Sequence, residues 1–76
     1  MNDEVVSPKA IRYISGFVNC MGVRYYVYDT KGNAGADRRP VYFTDSLAAR
    51  LLATKAATEY PLAAEVFVVK VSWPIK

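Results

Sequence analysis

The chain has 76 residues, 53% hydrophobic, 13% aromatic and 22% charged, which suits one domain able to bury a core and excludes a second catalytic lobe. Ten Lys and Arg against seven Asp and Glu leave a net charge of +3, a lean toward anionic partners without the charge density of a dedicated nucleic-acid binder. Histidine is absent and Cys20 is the only cysteine, so Ser-His-Asp and Cys-His catalysis, intrachain disulfides and the commonest nitrogen ligands for zinc or iron are all excluded.

Residues 1–9 are polar, include Pro8 and lack periodicity, so they are expected to form a flexible N-terminal arm ahead of a single α+β domain over 10–76. The acidic start Met1-Asn2-Asp3-Glu4 and the short apolar runs predict neither a signal peptide nor a spanning helix. Together with the lone thiol this predicts a cytoplasmic protein, in a bacterial host cell if phage-derived, with no membrane contact.

From Ala10 to Cys20 the β-branched and aromatic run predicts a first strand, with Gly16 as a bulge and Met21-Gly22 as the turn. Val23 to Tyr28 alternates so that Val23, Tyr25 and Val27 share one face while Arg24, Tyr26 and Tyr28 share the other. The stretch Asp29 to Pro40, with Gly32, Asn33, Gly35 and Pro40, is expected to be an exposed connection, and Val41-Tyr42-Phe43 a short third strand. Thr44 or Asp45 then caps a helix over about residues 46–60, rich in alanine and leucine and stopped by Pro61. Glu65 to Trp73 predicts a well-buried last strand, with Phe67, Val69, Val71 and Trp73 on one face and Val66, Val68 and Lys70 on the other, ended by Pro74.

The order strand, strand, short strand, helix, strand predicts an antiparallel sheet of three to four strands with the helix packed across one face. At 100° per residue, Ala48, Ala49, Leu52, Ala53, Ala56 and Tyr60 form the arc facing the sheet. Leu47 and Leu51 lie on a different stripe. Rotation of the helix is expected to bury them at the edge of the core, and contact with a second copy is the alternative.

Three constellations bear on function. Asp29, Asp37 and Asp45 border the loop, but their spacing does not match an alternating calcium loop, so turn and cap roles are expected and no metal or cofactor is predicted. Gly32-Asn33-Ala34-Gly35 has the Gly-x-x-Gly pattern of the KH loop, flanked by Lys31, Arg38 and Arg39, yet it joins two strands where a KH loop joins helices. The face of Arg24, Tyr26 and Tyr28, joined by Arg12 and Ile14 from the neighbouring strand, combines rigid rings with planar guanidiniums, a composition common at protein-interface hot spots. The same chemistry suits single-stranded nucleic acid, where bases stack on rings and arginine meets phosphates.

With no nucleophile and base pairing to build on, the chain is predicted to be a non-catalytic protein-binding domain. Its expected contact residues are Arg12, Arg24, Tyr26, Tyr28, Lys31, Arg38 and Arg39. The alternatives are a single-stranded nucleic-acid binder using the same residues and a homodimer built through Leu47 and Leu51 or through sheet edges. The architecture, with an Ala-rich helix capped near Thr44-Asp45-Ser46 and closed by Tyr60-Pro61 before Glu65-Val66-Phe67-Val68-Val69, resembles that of small bacteriophage and mobile-element proteins, anti-CRISPR inhibitors among them. That resemblance implies a stoichiometric inhibitor occupying a surface of a host protein or nucleoprotein complex.

Overall fold

A computed structural model describes residues 11–72 and shows a small α+β fold, an open antiparallel sheet with one helix on one face. The expected N-terminal arm at 1–9, and Trp73 with it, lie outside the described residues. The elements are β1 (Ile11–Asn19), β2 (Arg24–Val27), β3 (Ala34–Gly35), α1 (Ser46–Thr58) and β4 (Ala63–Ser72), and the strands lie side by side in the order β3-β2-β1-β4. The chain therefore crosses from one sheet edge to the other through α1, which lays the helix over β1 and β4.

The β1–β2 hairpin closes where Asn19 Oδ1 accepts the backbone N–H groups of Met21 and Val23, with Gly22 at φ 85°, a conformation that strains any side chain. Gly16 is not a bulge. It pairs with Tyr26 on one side and Phe67 on the other, and the register shift falls instead between Val18 and Asn19, against the start of β4.

Two expectations in the middle of the chain need correction. The stretch from Asp29 to Pro40 is more than an exposed connection, because Ala34 and Gly35 form β3 against Val27 and Tyr26 and Ala34 is buried in the core. Asp29 makes this possible: its carboxylate accepts from the N–H groups of Lys31 and Asn33 and from the Asn33 side chain, turning the chain back through Gly32 at φ 91°. The predicted strand Val41–Phe43 reduces to one bridge, in which Phe43 and Tyr13 exchange backbone hydrogen bonds of 2.7 and 2.8 Å while Val41 donates to the Val27 carbonyl. Its pairing partners are the ends of β1 and β2, so it cannot extend into a ladder.

Helix α1 starts as expected, with Asp45 in extended backbone accepting from Leu47 N–H at 3.1 Å. Its buried residues are Ala49, Ala53 and Ala56, with Leu52 and Ala57 partly covered. Three alanines on one stripe let the helix come close to a strand that presents the fully buried Ser15 and Phe17. Close approach has a consequence for the leucines. Leu47 and Leu51 stay 63% and 60% exposed, so the expected rotation that would bury them does not occur.

The covered side of the sheet is completed by Val27, Phe43, Tyr25, Val66 and Val68. Phe17 stacks on Tyr25 at 5.0 Å between centroids, and Tyr60, just past the helix end, closes against both rings and donates its hydroxyl to the Ala34 carbonyl. Among the described residues, Ser15 Oγ is buried with no hydrogen-bond partner.

Candidate functional site

Alternation places Arg12, Ile14, Gly16 and Val18 of β1 on the side of the sheet opposite α1. Registers then fix their neighbours. Gly16 stands between Tyr26 and Phe67, Val18 between Arg24 and Glu65, Ile14 faces Val69, and Arg12 faces Val71. The uncovered face thus has an aromatic and aliphatic centre with arginines at its margins.

Gly16 is what lets the centre form. A Cβ at this position would run into the Tyr25 carbonyl and come within 3.0 Å of the Phe67 ring. Without a side chain there, Tyr26 and Phe67, one strand away on either side, meet above Gly16 edge to face at 5.6 Å and 80°. The guanidinium of Arg24 sits 5.7 Å from the Phe67 centroid, and that of Arg38 sits 4.0 Å from the Tyr28 centroid. Each pair holds a cation over a ring face, a geometry that fixes the arginine while leaving its N–H donors at the margin of the patch. Comparison of the chain with known proteins finds no matching family model, no matching curated protein and no matching solved structure.

The structure gathers Arg24, Tyr26, Tyr28 and Arg38 into this face, with Arg12 four residues along β1 from Gly16 and hydrogen-bonded through Nη1 to the Ile11 carbonyl. Tyr26 and Tyr28 are half-buried by these neighbours and not tucked under the helix. Arg39 is exposed in the connection after β3. Lys31 is not brought to the face. Its segment packs on the helix, where Gly32 lies against Leu52 and Lys55 Nζ donates to the Lys31 carbonyl at 3.2 Å.

Sequence reasoning missed Phe67, Val69 and Val71, which it placed in a well-buried strand. β4 is an edge strand whose Val66 and Val68 pack under α1, while Phe67, Val69 and Val71 line the open face, Val69 being 41% exposed. The available signal was a count of layers: one 13-residue helix can cover one side of a sheet, so a strand apolar on both sides must leave one side uncovered.

The aspartates of the loop do local work. Asp29 is held below the usual carboxylate range, first by the Asn33 side-chain amide and then by backbone N–H groups, and Asp45 caps α1. Among the described residues no three His, Cys, Asp or Glu side chains group as a metal site would require. No described helix is long and apolar enough to cross a membrane.

Proposed function

We propose that the chain is a non-catalytic protein-binding domain whose contact surface is the uncovered sheet face centred on Tyr26, Phe67 and Gly16. The observation that carries this reading is the arginine-capped aromatic cluster: Tyr and Arg are among the residues that most often dominate binding energy, and here Arg24, Tyr26 and Phe67 are held on strands of one sheet while Arg38, from the turn after β3, stacks on Tyr28 just past β2. Arg12, Arg24 and Arg38 against Glu65 give the face a positive margin around an apolar centre, which fits a partner presenting carboxylates around an apolar or aromatic contact. Single-stranded nucleic acid fits less well, because Phe67 and Tyr28 each already carry a guanidinium over a ring face that a base would need for stacking. The resemblance to small phage proteins extends the proposal to stoichiometric inhibition of a host protein or nucleoprotein complex.

The test is affinity capture from bacterial lysate, with and without nuclease, using the wild type, Tyr26→Ala and Tyr28→Ala. A nuclease-resistant protein partner is expected, its binding weakened by about 1–3 kcal/mol in each variant. Equal affinity for all three chains rejects the face. Binding of an oligonucleotide that falls steeply with salt, with no protein captured after nuclease, would favour the nucleic-acid reading.

A further inference from the structure

The two edges of the sheet are unlike. β3 ends one side after two residues, and short edge strands offer little to pair with. β4 ends the other with ten residues, none of them proline, and among the described residues it is paired with β1 alone. Its centre, Val66-Phe67-Val68-Val69, is an unbroken apolar run, with Glu65 at one end of the run and Lys70 at the other. An outer row of backbone N–H and C=O groups on a strand of this length and character is a template for one more strand.

We propose that this edge pairs with β4 of a second copy of the chain, antiparallel about a two-fold axis normal to the sheet, making one continuous eight-stranded sheet. The charge placement permits self-pairing. Residues opposite each other in an antiparallel pair lie on the same face, so a residue must stand directly opposite its own equivalent in the partner, with the axis midway between the two. With the axis at Phe67, Glu65 meets the partner's Val69 and the partner's Lys70 meets Ala64; with the axis at Val68, Glu65 meets the partner's Val71 and the partner's Lys70 meets Val66. In both cases the two Glu65 side chains, and likewise the two Lys70 side chains, stand four or six positions apart, about 13–20 Å, so no like charges oppose each other.

The helix side of the seam also has room for the incoming lysine. Lys70 projects on the α1 side of the sheet, opposite Tyr13. Beside β4 on that side lies an open groove of about 180 Å³ lined by Thr54, Ala57, Thr58 and residues 63–66, and Ala64 and Val66 are the two residues the partner's Lys70 would face. The pairing keeps both helices on one side and both arginine-capped faces on the other, so it is compatible with the proposed contact surface without depending on it.

Sedimentation equilibrium and light scattering on the full chain, over the widest concentration range it tolerates, test the idea with Val69→Glu and the double variant Leu47→Lys/Leu51→Lys. Val69 is partly exposed, so a glutamate there charges the seam at modest cost to the fold. The expected result is a two-chain mass for the wild type and the leucine variant, and a one-chain mass for Val69→Glu with an unchanged circular dichroism spectrum. Hydrogen exchange of the wild type supplies a second readout free of any mutation: β4 amides should be slower at high than at low concentration. A one-chain wild type at every concentration overturns the proposal. So does a dimer lost with the leucines and kept in Val69→Glu, or β4 exchange indifferent to concentration.

Discussion

The two faces of this sheet are built from the same strands by the same alternation, and they are completed in different ways. On the covered face, Ser15, Phe17, Tyr25, Val27, Val66 and Val68 are closed over by the alanine stripe of α1. On the open face, Tyr26, Phe67, Tyr28, Arg24 and Arg38 shield one another and nothing else among the described residues lies on them as a layer. What this teaches is a division of labour. Burial under the helix supplies stability, while side chains that cover only each other form the surface on which the proposed contact rests.

The sharpest way to break that division is Phe17→Ala, which removes the largest fully buried side chain beneath Tyr25 and Tyr60. It should cost about 3–5 kcal/mol of unfolding free energy in a denaturant titration, enough to unfold much of so small a domain. Tyr26→Ala on the opposite face should cost far less stability, about 1 kcal/mol or under, for the loss of one edge-to-face contact. If the open face proves as costly to truncate as the covered one, the division fails.

Ser15→Ala sharpens the comparison from the other direction. The hydroxyl is buried without a partner, and an unsatisfied buried polar group is destabilising, so deleting it should raise stability by about 1 kcal/mol, or roughly 4–8 °C in Tm. A drop in Tm would mean that the hydroxyl has a partner in solution, such as a water.

The smallest effect concerns Asp29, which holds β3 against β2 from a solvent-facing turn. Its folded pKa is depressed, so its contribution is fully present above the unfolded-chain carboxylate value of 3.8 and is lost as pH falls through the still lower folded value. Amide exchange at residues 31–35 should therefore quicken in that acid window before the β1–β4 ladder responds, and Asp29→Asn should lessen that pH dependence.

Much of the architecture was legible because it rests on local chemistry. Thirteen helical residues without Gly or Pro, an aspartate cap and a following proline define α1 whatever it packs against. The strict alternation of Arg24, Tyr25, Tyr26 and Val27 correctly separated the ring that joins the core from the ring that faces outward. β3 was not legible, since Ala34 and Gly35 have no preference for a strand and pair only because the Asp29 turn returns them to β2. Nor was the site complete, because Phe67 comes from the far end of the chain and meets Tyr26 only through the β2-β1-β4 order and the vacancy above Gly16.

Residue order alone determined where the chain stiffens into helix and strand, and which side chains share a side of each, because those depend on backbone period and neighbours within a few positions. The tertiary structure decided which side was covered, which edge was left long, and which arginine settled on which ring. Those outcomes depend on how far one alanine-faced helix can reach across four strands, a quantity that no local stretch of sequence contains.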